Sequence, residues 1–297
     1  QKIDQDHENM RFLFELALKI SAAIIAALFL GARVTIILIY LLVGVLAGFA
    51  AGLFGVGGGL GIVPALIYCF ALQGVSSLVA VQLAVGTSLA TIVFTSISSV
   101  RAHHAHGNVD WPVWRLLAPG IALGVVGGVA LAAALPGERL KLVFGIFALL
   151  ISVQMMLGLK PSPGRSLPSR PAVFVAGGGI GFLSAMFGIG GGSLTVPYLS
   201  WCQVRMQRAV ATAAACGLPI AIVGALSNMV AGFGHPDLPA WSTGFVYWPA
   251  LLAIILCSTP VARIGANLAQ RLPADRLKQC FALFLFAIGS HFIYGAL

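Results

Sequence analysis

The sequence predicts an all-α polytopic membrane protein made of two inverted repeats. Each repeat is a glycine-broken re-entrant helix hairpin followed by three spanning helices, and one extra helix precedes the first. Three observations predict this. The chain is 59% hydrophobic and only 8% charged, with a mean hydropathy of +1.00, which excludes a water-soluble globular domain. A stretch at Gly48–Pro64, GFAAGLFGVGGGLGIVP, recurs without a gap at Gly181–Pro197 as GFLSAMFGIGGGSLTVP, an offset of 181 − 48 = 133. The basic residues behind the +9 formal charge lie singly between apolar runs. That distribution suits topology-setting loops and not a nucleic-acid partner.

Residues 1–33 form the N-terminal extension. A polar start leads into an apolar helix from Phe12 to about Ala32, in which Glu15 and Lys19 stand i to i+4 and can pair. Residues 34–159 form repeat one. Thr35–Gly55 is apolar, Gly57–Gly61 breaks it, and Ile62–Leu72 is apolar again. Neither arm has the roughly 20 residues a spanning helix needs, so the pair reads as a hairpin that dips into the membrane and returns. Spans follow at about Ser77–Val100, Trp111–Leu135 and Leu140–Leu159.

The stretch KPSPGRSLPSRP, within 160–171, has the Pro and Ser content of a cytoplasmic linker. Residues 172–297 form repeat two: a broken hairpin at Ala172–Cys202, then spans at about Arg208–Phe233, Thr243–Gln270 and Ala274–Leu297. The turn LPADRLK from Leu272 matches LPGERLK from Leu135 at an offset of 272 − 135 = 137.

Charge sets the topology. Arg101, Arg115, Lys160, Arg165, Arg170, Arg205, Arg208, Arg271, Arg276 and Lys278 fall in cytoplasmic loops when each broken element starts and ends on one side. Arg33, Arg139 and Lys141 are left outside. Repeat one then begins outside and repeat two inside, the inverted arrangement of transporters.

A helix break inside a membrane leaves backbone N–H groups unpaired at the start of the next half-helix, where the dipole carries about half a positive charge. An anion satisfies both, and glycine leaves no Cβ between amides and ligand. The candidate donors are Gly57, Gly58, Gly59 and Leu60 in the first break, and Gly190, Gly191, Gly192 and Ser193 in the second. Two breaks entering from opposite faces meet near the midplane, where inverted-repeat transporters hold substrate. Gly44, Gly48 and Gly52, four apart, read instead as helix-packing positions.

The span after each hairpin adds uncharged donors. Thr87 and Thr212 correspond locally, and Gln82 and Asn228 are further candidates. Thr87, Thr91, Thr95 and Ser98 lie close to one helical face, although any single hydroxyl can equally bond its own helix. Arg263 lies within a span, where it either snorkels or attracts an anion. The HHAH run at His103–His106 reads as a solvated loop, and the five cysteines lack a C-x-x-C pair. No metal and no cofactor is expected.

The duplicated G-x-x-x-[GA]-x-F-G-x-G-G-G-x-x-x-x-P, with GTSL and RAHHAHGNVDW, resembles the TauE/SafE (TSUP) sulfite exporter family over about residues 34–297. The resemblance implies a multi-pass permease of the bacterial inner membrane that moves a small sulfur anion such as sulfite or an organosulfonate, and not an enzyme. All eight acidic residues lie in the N-terminal region or loops, so no carboxylate is expected to relay protons at midplane. Uncoupled or weakly coupled export is the expected mode. The alternatives are an anion channel and an importer of a related sulfur compound.

Overall fold

A computed structural model describes residues 32–54, 59–105, 107–157, 167–269 and 274–294. Among them run ten helices: α1 (Ala32–Phe54), α2 (Gly59–Leu72), α3 (Ser77–Ala105), α4 (Trp111–Ala134), α5 (Gly137–Met156), α6 (Arg170–Met186), α7 (Gly192–Trp201), α8 (Met206–Ala231), α9 (Trp248–Ala269) and α10 (Ala274–Tyr294). Between α8 and α9 lies an antiparallel ribbon of β1 (Ser242–Thr243) and β2 (Val246–Tyr247), with Ser242 opposite Tyr247. The extra helix expected from Phe12 lies outside the described residues. Among the described residues, Ser77–Ala105, Trp111–Ala134 and Gln207–Ala231 are each long and apolar enough to cross a membrane.

The expected elements appear, with shifts at their ends. The broken element of the second half resolves into α6 and α7, and α2 begins at Gly59, within the stretch Gly57–Gly61 expected to be non-helical. The span expected from Thr243 begins five residues later, because Ser242–Tyr247 turns back on itself first. Gly244, at φ +53°, makes that turn. It brings Phe245 and Val246 into the protein, where both are buried.

Helices α3 and α8 form the centre and run antiparallel. Leu89 meets Gly224, and seven residues further along α3 Ser96 meets Gly217, seven residues earlier along α8. Most of α3 is buried, which suits an apolar helix enclosed by others on every side. Around this pair the two halves exchange arms. The first arm α1 packs on α9 of the second half, Gly44 against Ile254 and Gly48 against Ser258. The first arm of the second half, α6, packs on α4 in the same way, Gly177 against Leu117 and Gly181 against Ile121. At the offsets of 133 and 137 these contacts correspond residue by residue.

Helices α5 and α10 also run antiparallel, joined by the approach of Gly145 to Gly289 and by Ser152 Oγ donating to Ala282 O at 2.7 Å. The close contacts at Gly44 and Gly48 realise their reading as packing positions. Without a hydrophobic drive between helices in lipid, such backbone approach supplies the dispersion contact that holds them.

Candidate functional site

The second break is built by a helix stop followed at once by a helix start. Helix α6 ends in a Schellman motif: Ile189 N donates to Ser184 O at 2.8 Å and Gly188 N to Ala185 O at 3.3 Å. That motif needs a left-handed residue, and Gly188 takes φ +65°. Phe187 anchors the turn, stacked on Phe147 with ring centroids 4.2 Å apart and edge-on to Phe144. Helix α7 then starts, its first bond running from Thr195 N to Gly191 O at 2.9 Å. The amides of Gly192, Ser193 and Leu194 therefore stand ahead of the helical ladder.

The two breaks meet. A Cβ on Gly59, at the start of α2, would lie 2.3 Å from Gly188 O and 2.9 Å from Ile189 Cα. Only a glycine permits this approach. Ser88 Oγ on α3 donates to the same Gly188 O at 2.8 Å. On the α8 side, a Cβ on Gly191 would lie 2.9 Å from Ala213 O and 3.1 Å from Gly217 N. The tips are thus clasped between the two central helices.

Gly190, Gly191 and Gly192 are buried in the second break. The hydroxyls of Ser193 and Thr195 at the start of α7, and of Ser184 in the last turn of α6, are enclosed with no hydrogen-bond partner. Buried hydroxyls left unbonded cost about 1–3 kcal/mol each, and three of them are grouped at this break. In the first break Gly57 and Gly58 lie outside the described residues, as does the side chain of Leu60. The side chain of Arg263, in α9, does too.

Thr87 and Thr212 are fully buried and do a matched job. Thr87 Oγ1 accepts from Tyr247 N, ahead of α9, and Thr212 Oγ1 accepts from Asp110 N, ahead of α4, both at 3.0 Å. Asp110 and Tyr247 themselves correspond at the offset of 137. Asp110 also caps α4, accepting from Val113 N at 3.2 Å.

Gln82 and Asn228 are not brought to the tips. Gln82 Nε2 donates to Leu135 O at 2.9 Å, holding the end of α4, and Asn228 Nδ2 donates to Gly224 O of its own helix at 2.8 Å. Thr91 and Thr95 likewise donate to carbonyls of their own helix. Sequence reasoning passed over Ser88, Ser96 and Ser184, although Ser88 stands in the GTSL that carries the family resemblance. A cleft of about 350 Å³ opens between Asp110 and the segment joining α7 to α8, lined by Asp110, Gln203, Val204, Arg205 and Arg208.

The profile of the family described as "Sulfite exporter TauE/SafE" matches residues 40–292. The chain belongs to the TauE/SafE family. It is similar to a "Probable membrane transporter protein" of Haemophilus influenzae, 40% identical over 255 residues covering 86% of this chain and 97% of that one. It is also similar to "Probable membrane transporter protein YunE" of Bacillus subtilis, 28% identical over 276 residues covering 86% and 97%. No solved structure matches. This TauE/SafE member is a multi-pass membrane protein, and the names of its relatives are those of probable membrane transporters.

Proposed function

We propose that this protein is a permease exporting a small sulfur-containing oxyanion, sulfite or an organosulfonate, held at midplane between the two glycine breaks. The observation that carries this reading is the meeting of the two halves at Gly59 and Gly188, beside the first amides of α7 and the unpartnered hydroxyls of Ser184, Ser193 and Thr195. Neutral donors suit an anion that must be released again, because they hold it without a fixed countercharge. The family's printed description supports sulfite as cargo.

An inverted repeat underlies the proposed cycle. What supports it is that equivalent helices α3 and α8 run antiparallel, as do α5 and α10, and that Thr87 and Thr212 make reciprocal bonds, as a pseudo-two-fold requires. A site on that axis is open to alternate sides when the halves rock. The described acids sit at helix ends or in a loop: Asp110 caps α4, Glu138 lies in the first turn of α5, Asp237 follows α8 and Asp275 is the second residue of α10. Export then needs no proton relay, since a monoanion leaving an inside-negative cell gains about 2.3 kcal/mol per 100 mV.

Purified protein in proteoliposomes should release sulfite without an imposed proton gradient, and sulfate or sulfoacetate added as competitors should rank the cargo. Strict dependence on a proton gradient would falsify uncoupled export. Unchanged flux after Gly58→Leu with Gly191→Leu would remove the breaks from the mechanism, and steady currents above carrier rates would make the protein a channel.

A further inference from the structure

We infer that the anion site is one-sided: the second break, the start of α7 and helix α3 supply its donors, and the matching residues of the first half, which packs against them through Gly59, carry no hydroxyls. This deepens the reading of the glycine breaks proposed above and rests on it. Equivalent positions of the two halves carry it. At the offset of 133, Ser184, Ser193 and Thr195 correspond to Ala51, Leu60 and Ile62, so each hydroxyl of the second break is matched by an apolar residue in the first. Ser184 and Thr195 are 0% exposed, and none of the three hydroxyls has a partner. Thr195 shares the buried face of α7 with Gly192 and Leu199, and α7 packs on α8.

The central helices repeat the difference. Thr87 and Thr212 set an offset of 212 − 87 = 125, at which Gly217 of α8 corresponds to Ile92 of α3. Ile92 is wholly buried and reaches toward the first break, its Cδ1 3.0 Å from where a Cβ on Gly59 would lie. Gly217 presents nothing to the second break. A Cβ there would lie 2.9 Å from Ser96 Oγ and 3.7 Å from Gly191 N, so the glycine keeps a hydroxyl and an amide facing one spot. Ser96 in turn corresponds to Ala221. The first half fills the space beside its break with a side chain, whereas the second leaves it bare and borders it with donors. The ligand class is a small oxyanion whose oxygens accept from hydroxyl and amide groups.

Sulfite binding to the purified full chain, read together with efflux from proteoliposomes, tests this. Ser193→Ala, Thr195→Val and Ser96→Ala should each weaken sulfite binding about three- to tenfold, the loss of one hydrogen bond. Thr195→Ser should restore it, and Ile62→Val, the equivalent change in the first half, should leave it within about twofold. A monodisperse Thr195→Val protein with unchanged thermal midpoint separates lost binding from lost fold. Wild-type affinity in the hydroxyl variants, or an equal loss in Ile62→Val, overturns the one-sided site alone. Failure of the unaltered protein to bind or move sulfite removes the parent reading, and this one with it.

Discussion

Helix α4 approaches α6 with glycines on both sides of the contact, whereas the described close approaches of α1 to α9 are made by glycines of α1, Gly44 and Gly48. In the first seam, a Cβ on Gly120, Gly124 or Gly128 would lie 2.1, 2.0 or 2.2 Å from a carbonyl of α6, and one on Gly177 or Gly181 would lie 2.6 or 2.3 Å from a carbonyl of α4. In the other seam, Gly44 and Gly48 would bring a Cβ within 2.6 and 2.5 Å of Ile254 O and Ser258 O, while α9 presents Ile and Ser in return. The joints occupy equivalent places, yet one interlocks two bare backbones and the other lays one bare backbone on a clothed helix. A duplicated architecture therefore tolerates different chemistry at its joints, provided that one partner of each close approach lacks a side chain.

The largest expected effect lies in the doubly bare seam. Gly124→Leu should leave no monodisperse protein in detergent, because its added side chain meets backbone that cannot move aside. A well-folded Gly124→Leu protein would show that the seam is looser than its geometry. Next come the reciprocal joints. Thr87→Val and Thr212→Val each strip the acceptor from a backbone N–H and should destabilise by about 1–3 kcal/mol, measured by denaturant titration in micelles. Similar losses would bear out the matched roles of the two threonines, and a loss at one alone would break the equivalence.

Asp110→Ala removes the cap of α4 but keeps the backbone bond to Thr212, so about 0.5–2 kcal/mol should be lost. The second joint has no comparable carboxylate cap, which makes this variant a measure of their inequality. The smallest effect belongs to Gly127→Ala on α4. Its Cβ would make ordinary contact with Phe182 at 3.6 Å, and helix propensity favours alanine by about 0.5–1 kcal/mol. A thermal midpoint that is unchanged or slightly raised is expected there, against collapse three residues away at Gly124.

Much of this was legible in the residue string. The gapless duplication located the helix pairs α1–α2 and α6–α7, the 137-residue offset of the LP-turns reappears in the contacts of Leu117 with Gly177 and Ile254 with Gly44, and the four-residue glycine spacing marked packing. The site was legible only in part. Ser193 was found because it follows a glycine run, but Ser184 and Thr195 stand out only once burial leaves their hydroxyls unpartnered. Gln82 looked like a donor to substrate, yet its amide holds the end of α4 53 residues away. The ribbon at Ser242–Tyr247 was read as the start of a helix, since apolar residues at a turn that folds into protein resemble those of a span.

The sequence by itself determined the membrane setting, the duplication and the position of the breaks. Those follow from composition, from identity at a constant offset, and from the conformational cost of consecutive glycines within a helix. Only the tertiary structure decided which groups face which. Thr87 binds a backbone amide 160 residues away and Thr212 one 102 residues away, and no local pattern encodes a partner at such separation. The tertiary structure also separated the two breaks from each other. Gly59 packs against Ile92, whereas Gly191 faces Gly217 beside Ser96, a difference that lies in the neighbouring helices and not in the glycines.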